Sequence, residues 1–330
     1  MPAAGPSSSF SFGLAAFAAL ISFLVYSQLL QDNLPAVPTV QCTKAGFLGL
    51  GCQGKGCVRR SGQCVPVDTS SSTTASSTAA AAASKADSLM RKRTVANCLA
   101  AADQYEAAAK AAANGGSVQT VASYQLKAGD AINCAMRIHG TGNILLLDGT
   151  LDTPANKKFW GTHGPRALAL IKAARASHAP YASDAAATAM EMDAFMYSSS
   201  SKGIIKQALT GAGVTFKALA DELTYTYSSW DGYVGHCYLG GFFWVAPWPI
   251  GNKAKGVESF EAAFKAEPKS RRNGYYACLM RYHAGDYDGA VQACQTAVNR
   301  GSCDGPTTGD YCGFLTEQAN KVLALARSKR

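Results

Sequence analysis

A helical pattern near the C-terminus recurs after 34 residues, and this period constrains the fold more than any other feature of the sequence. The corresponding residues are Gly256 and Ala290, Phe260 and Cys294, and Ala263 and Ala297. A small residue, a bulky one four positions later and an alanine three positions after that share one helical face and suit close packing on a neighbouring helix. Pro268 ends the first of these helices, and Gly285-Asp286-Tyr287 makes a tight turn. The pattern therefore predicts antiparallel helix pairs that stack on one another.

The segment from Trp230 to Val298 resembles a tetratricopeptide repeat. Leu239-Gly240-x2-Phe243 is similar to the signature of the first repeat helix, and a Pro/Gly insertion at residues 247–251 precedes the Phe260-x2-Ala263 pattern. This order resembles the T-component proteins of bacterial TRAP transporters, which are extracytoplasmic, and the regulator of microtubule dynamics family, which is membrane-anchored. The resemblance implies an all-α, tetratricopeptide-like array of helical hairpins that binds a protein or a small ligand in a central groove or pore.

The N-terminus contains an apolar segment of 21 residues without a charge, residues 10–30. As a helix this segment would span about 30 Å, which is the thickness of a bilayer core. No Lys or Arg precedes it, so the usual basic start of a signal peptide is missing. Residues 1–30 are therefore predicted to form an uncleaved transmembrane anchor. A cleaved signal segment, with a small-residue site at Val25-Tyr26-Ser27, is the alternative.

Four cysteines lie close together in a glycine-rich segment: Cys42, Cys52, Cys57 and Cys64. So short a segment cannot fold by burial alone, and we predict a Cys-rich knot over residues 31–66 with two disulfides of open connectivity. A zinc site is disfavoured because no Cys-x2-Cys pair occurs among the four. Together with the anchor, the knot predicts a single-pass membrane protein whose bulk lies in an oxidising compartment: a lumen, the exterior, a periplasm or an intermembrane space.

A Ser/Thr/Ala tract, residues 67–83, is predicted to be a flexible linker. Residues 84–330 are predicted to form the helical domain, because helical patterns punctuated by Pro and Gly continue to the end. The remaining cysteines suggest disulfides that cross helical hairpins or close a loop: Cys98 with Cys134, Cys278 with Cys294, and Cys303 with Cys312. For the Cys278–Cys294 pair, two ordinary buried thiols are the alternative.

An aromatic cluster holds three of the four tryptophans of the chain within 19 residues. Its spacing follows one helical face, so core packing is one interpretation. The other is a groove that binds a ligand or a partner segment. The candidate binding residues are Trp230, Tyr238, Phe243, Trp244, Trp248 and Asn252.

Charge and motif spacing exclude several functions. The net charge of +9 is scattered and no stripe of bases alternates with aromatics, so no nucleic-acid site is expected. The histidines are dispersed, and Asp184, Glu191 and Asp193 are expected on a solvated helical face, so no enzyme, metal or cofactor is predicted. We therefore expect a scaffold that is membrane-anchored through residues 10–30 and binds protein partners with the concave face of its helical repeats. An extracytoplasmic small-ligand-binding component of a transport system is the alternative function.

Overall fold

The computed structural model describes residues 57–60, 63–66, 69–203, 211–300, 303, 305 and 307–330. The anchor predicted for residues 1–30, and Cys42 and Cys52 of the predicted knot, lie outside the described residues. In the part that is described, no helix is both long enough and apolar enough to cross a membrane. The chain divides into two compact units, Met1–Val67 and Asp68–Arg330.

The described part of the first unit is an antiparallel β-hairpin. Strand β1 (Cys57–Arg60) pairs with β2 (Gln63–Pro66), and Arg59 lies opposite Cys64. The sequence does not reveal this hairpin, because four residues are too few to show an alternating pattern. The disulfide pairing of the knot stays a prediction, since two of its four cysteines are not described.

The second unit is built from helices, as predicted for the C-terminal domain. They are α1 (Thr69–Met90), α2 (Val95–Ala112), α3 (Val118–His139), α4 (Pro154–Ser177), α5 (Ala179–Ala182), α6 (Ala185–Ser200), α7 (Ala212–Asp221), α8 (Val234–Val245), α9 (Lys253–Ala266), α10 (Arg271–His283), α11 (Tyr287–Asn299) and α12 (Cys312–Ser328). Short 3₁₀ turns lie at Thr141–Asn143 and Thr308–Asp310, and a π-helical turn follows α7 at Glu222–Thr226.

Polar side chains set many of the helix starts. Thr94, Ser117 and Thr153 each accept a hydrogen bond from the backbone N–H three residues later, at the starts of α2, α3 and α4. Asp184 and Ser270 do the same for α6 and α10. Because the first N–H groups of a helix have no partner inside it, these residues fix where each helix begins.

The Ser/Thr/Ala tract belongs to α1, so the prediction of a flexible linker is wrong for residues 69–83. Alanine has the highest helix propensity, and the tract is rich in it. Ala79, Ala83 and Ala86 are buried, and α1 packs along α2. The short side chains that suggested little burial allow the two helices to approach closely, so the tract joins the apolar core.

The three largest apolar clusters of the described residues hold the second unit together. Helices α1–α6 share one core, and α8–α12 share another together with Ile144 and Leu145 from the segment after α3. A smaller cluster joins α6, α7 and α8 through residues such as Met192, Leu219 and Leu239. These three helices therefore connect the N-terminal and C-terminal halves of the unit.

Helix pairs α8/α9 and α10/α11 share buried residues that lie 34 positions apart. All six residues of the 34-residue pattern are buried, on α9 and α11 respectively. Gly240 on α8 and Gly274 on α10 are also 34 residues apart, and a Cβ there would lie 2.8 Å from Phe260 and 3.2 Å from the Cβ of Ala297, respectively. Each glycine therefore allows the first helix of its pair to approach the second.

The structure joins three of the predicted cysteine pairs. Cys98–Cys134 links α2 to α3, Cys278–Cys294 links α10 to α11, and Cys303–Cys312 closes the loop before α12. Their Cα atoms are 6.0, 5.0 and 5.9 Å apart, within the usual range for disulfides. Each bridge therefore ties together elements that are neighbours in the chain.

Two of the three carboxylates expected on a solvated face are buried ion-pair partners instead. Asp193 on α6 lies 2.7 Å from Arg137 on α3, and Glu191 lies 2.5 Å from Arg175 on α4. Asp184 is the N-cap of α6. The expectation of a solvated face is wrong for Glu191 and Asp193, because α6 is covered by α3, α4 and α7 and its polar residues meet arginines from these neighbours.

Candidate functional site

A cavity of about 220 Å³ lies against α8 and α10. Its other walls come from α6, α7, the segment 142–152 that follows α3, and the loop that follows α8. Most of the wall surface is apolar. Segment 142–152 forms one wall of this space, which is a small pocket that stays partly open to solvent, since lining residues such as Ile250 are exposed.

The 34-residue spacing also relates residues of α8 and α10 in this wall. Tyr238 and Phe242 on α8 line the cavity, and so do Arg272 and Tyr276 on α10. Each residue of α10 lies 34 positions after its counterpart on α8. Residues four apart share one helical face, so the same face of both helices forms the wall.

The hydrogen bonds of the polar wall residues are only partly satisfied. The Tyr238 hydroxyl donates to Asp193, and burial together with this carboxylate raises the pKa of Tyr238 well above its ordinary value, so the phenol keeps its proton. Arg272 is buried and donates from Nη1 to Asp231 at 3.0 Å. Among the described residues, neither Nε of Arg272 nor Oδ1 of the wall residue Asn143 has a hydrogen-bond partner. Two wall residues therefore each carry one buried polar atom, a donor on Arg272 and an acceptor on Asn143, that has no partner.

Two further titratable groups belong to this wall. Cys237 lies outside the three disulfides, is buried on α8, and its thiol donates to Oδ1 of Asn273 at 3.4 Å. Asp152 is half-buried, and burial raises the pKa of its carboxyl, although Lys157 at 3.7 Å lowers it. Because the Cys237 thiol is hydrogen-bonded and the Asp152 carboxylate is paired with a lysine, neither group gives the cavity a strong net charge.

Tyr238 is the one of the six predicted binding residues that lines the described cavity. Trp230 and Phe243 pack against the α6–α8 cluster, and Trp244 packs against the α8–α12 core. Asn252 is the N-cap of α9, where its Oδ1 accepts from the Lys255 backbone N–H at 3.1 Å. The core-packing interpretation therefore describes Trp230, Phe243 and Trp244 better than a shared groove does.

Trp248 occupies a different environment and is 90% exposed. It lies in the loop of residues 246–251, which we call the Trp248 loop. The backbone N–H groups of Ile250 and Gly251 both donate to the carbonyl of Pro247 at 3.0 Å, and the Asn252 N–H donates to Phe243 at 2.9 Å. Pro247 and Ile250 also line the cavity, so one hydrogen-bonded loop both exposes the indole and contributes to the cavity wall.

Sequence reasoning missed Phe242, Arg272 and Tyr276 as wall residues. The sequence did contain a signal for the two residues on α10. Arg272 and Tyr276 lie 34 positions, one period of the pattern, after Tyr238 and Phe242. No local pattern indicates that segment 142–152 lines the same cavity as Arg272 and Tyr276, since these residues are more than a hundred positions apart.

The chain matches no protein-family model and no curated protein at a significant level. Within the described ranges, no group of three or more His, Cys, Asp or Glu side chains is placed to hold a metal ion.

Gly241 gives a direct test of the cavity wall. It lies on α8, lines the cavity, and an added Cβ would meet no heavy atom within 4 Å. We expect Gly241→Ala to raise the free energy of unfolding by about 0.5–1 kcal/mol, because alanine favours the helix. Gly240→Ala should instead lower it, because its Cβ would lie 2.8 Å from the Phe260 ring. Urea denaturation measures both variants, and equal destabilisation would contradict the position of the cavity.

Proposed function

We propose that the second unit is a tetratricopeptide-like, non-enzymatic module that binds a protein partner through the Trp248 loop. The equivalence of pairs α8/α9 and α10/α11 supports the repeat assignment: the 34-residue pattern is buried in both pairs, and Gly240 and Gly274 permit the same close approach. In this proposal, residues 10–30 hold the module near a membrane, and the disulfides suit it to an oxidising compartment.

The exposure of Trp248 carries this proposal. An indole offers a large apolar surface with a polar N–H, and tryptophan is enriched among the residues that dominate binding energy at interfaces. The hydrogen bonds within the Trp248 loop hold the backbone in one arrangement. A partner therefore meets a pre-organised anchor and loses little conformational entropy in binding it.

The side of α8 and α10 that forms the cavity does not suit a protein partner. Segment 142–152 forms a neighbouring wall, and the cavity of about 220 Å³ between them is too small for a helix or an extended peptide. The contact surface in our proposal is accordingly the Trp248 loop, in place of the concave repeat face that the sequence suggested.

Charge near the loop suggests the chemistry of the partner. Lys253 and Lys255 are exposed in the first turn of α9, and their ammonium groups lie 5.1 Å from the Trp244 ring and 5.7 Å from the Phe243 ring. Complementary charges speed association and select partners. The partner surface should therefore combine an apolar pocket for the indole with neighbouring acidic residues.

The second candidate function, binding of a small ligand, is favoured by one separate observation, the mostly apolar cavity. Ligand pockets are typically concave and mostly apolar with a few polar groups, and this cavity has that composition.

Truncation of the indole tests the protein-binding proposal. We expect Trp248→Ala to weaken binding of the captured partner by about 2 kcal/mol or more, close to thirtyfold, because an exposed anchor is lost. Quantitative affinity capture with the full-length protein, followed by titration of the identified partner, measures the effect.

Tyr225 provides the matched control. It is an aromatic residue of the π-helical turn, 76% exposed, and Tyr225→Ala should leave the affinity unchanged. If Trp248→Ala retains full affinity, or if both variants lose affinity equally, the Trp248 loop is not the contact surface. Circular dichroism of each variant verifies that the helical fold is intact.

A further inference from the structure

We infer that the cavity binds a compact, electrically neutral organic molecule of about nine heavy atoms, mostly apolar and carrying one hydroxyl group. This inference rests on the second candidate function, small-ligand binding, and is independent of the Trp248 proposal. Its four elements are the size of the guest, its neutrality, its apolar body and its oxygen, and each follows from a different feature of the wall.

The volume of the cavity sets the size of the guest. An apolar protein cavity of about 150 Å³ holds one benzene molecule. The cavity described here measures about 220 Å³. Scaling by volume gives a guest of roughly nine heavy atoms, such as a benzene ring with a short substituent. The mostly apolar wall requires that most of these atoms be carbon.

The charges of the wall favour a neutral guest. Arg272 and Asp152 are the two charged residues among the described residues that line it. The Arg272 guanidinium is already paired with Asp231, whose side chain is fully buried, and Asp152 is paired with Lys157. A carboxylate guest would be repelled by Asp152, and the positive charge of Arg272 is already balanced by Asp231. An ammonium guest would be repelled by Arg272, and the negative charge of Asp152 is already balanced by Lys157. Either charge would lose its hydration without gaining an unpaired counter-charge, because the uncommitted Nε of Arg272 belongs to a guanidinium whose charge is already balanced by Asp231.

The orphaned polar atoms of the wall favour a hydroxyl. Nε of Arg272 is a buried donor, and Oδ1 of Asn143 is a buried acceptor, and neither has a partner among the described residues. Buried polar groups are rarely left unsatisfied in folded proteins. A hydroxyl both donates and accepts, so it satisfies either atom once the side chain turns that atom toward the cavity.

A set of matched probes tests the class of guest. The neutral probe is 2-phenylethanol, with 2-phenylethylammonium and phenylacetate as charged analogues of similar size and propylbenzene as the analogue without oxygen. The full-length protein is titrated calorimetrically in lipid nanodiscs, and titration of empty nanodiscs corrects for partitioning into lipid. We expect saturable binding of 2-phenylethanol at one site, binding of both charged probes that is weaker by at least about tenfold, and no tighter binding of propylbenzene.

Two glycine variants locate the binding site. Gly241→Leu places a side chain in the cavity without a clash at its Cβ, and it should weaken 2-phenylethanol binding at least about tenfold. Gly313→Leu is the matched control, because Gly313 is a helical glycine of α12 with the same free space around its Cβ and no place in the cavity wall. Gly241→Ala, which adds one methyl group to the wall, should weaken binding by a smaller factor and serves as the second variant if the leucine variant does not fold.

The outcomes distinguish failure of small-ligand binding itself from failure of the predicted ligand class. Absence of saturable binding for every probe, or binding that neither Gly241 variant weakens, overturns ligand binding in this cavity. Tightest binding of phenylacetate or of the ammonium probe overturns the neutral class while the small-ligand function stands. Tenfold tighter binding of propylbenzene overturns the role assigned to the oxygen.

Discussion

Replacement of Arg137 by methionine is expected to lower the free energy of unfolding by about 3–5 kcal/mol. Arg137 lies on α3 and is 3% exposed. It is 2.7 Å from Asp193 on α6, 2.7 Å from Asp310 in the turn before α12, and 3.1 Å from Asp130. Removal of the guanidinium leaves buried carboxylates without their counter-charge, which costs much more than the loss of a surface pair.

The carboxylates around Arg137 keep its guanidinium protonated. Burial acts against the charged form, but Asp130, Asp193 and Asp310 together raise the pKa of Arg137 well above its ordinary value. The same network reaches the cavity, because Asp193 also accepts a hydrogen bond from the Tyr238 hydroxyl. Loss of Arg137 should therefore disturb both the junction between the two halves of the unit and the wall of the candidate site.

Urea denaturation followed by circular dichroism measures the effect. The control is Arg166→Met, because Arg166 pairs with Glu106 at 2.6 Å but is 37% exposed, and its loss should cost less than about 1 kcal/mol. Adding Asp193→Asn to Arg137→Met should recover part of the stability, since one uncompensated carboxylate is removed. Equal small effects of the two arginine substitutions would show that the network contributes no more than a surface pair.

Local and periodic features of the fold could be predicted from the sequence. The 34-residue pattern identified the buried faces of α9 and α11, and the spacing of cysteines identified the pairs Cys98–Cys134, Cys278–Cys294 and Cys303–Cys312. These predictions succeeded because each depends on neighbouring helices, whose contacts follow directly from chain order.

Features that depend on distant contacts could not be predicted. Asp193 looked like a residue of a solvated helical face, because the sequence does not show that Arg137, 56 positions away, packs beside it. The pairing of Arg137 with Asp310 joins residues 173 positions apart. Likewise, helical spacing placed Trp230, Tyr238 and Trp244 in one aromatic cluster, whereas the structure divides them between two apolar clusters.

Removal of the Cys98–Cys134 disulfide by a double alanine substitution is expected to cost about 3–4 kcal/mol, more than removal of Cys303–Cys312, for which we expect about 2–3 kcal/mol. The two bridges close loops with sequence separations of 36 and 9, and the longer loop restricts the unfolded chain more. Cys98 and Cys134 are also fully buried, so their truncation leaves a small void between α2 and α3.

The decisive measurement is which bridge lowers the free energy of unfolding more when it is removed. This order distinguishes an effect on the entropy of the unfolded chain from an effect on contacts in the folded state. Both double variants are denatured in urea beside the parent protein, without reductant, so that Cys278–Cys294 stays closed in all three. A larger loss for the shorter loop would mean that Cys303–Cys312 acts through the native state. Its loop contains Asp310, and opening it would then release this carboxylate from Arg93 and Arg137. In that case, Asp310→Asn should remove most of the difference between the parent and the Cys303/Cys312 variant, whereas the entropic account predicts that the two effects add.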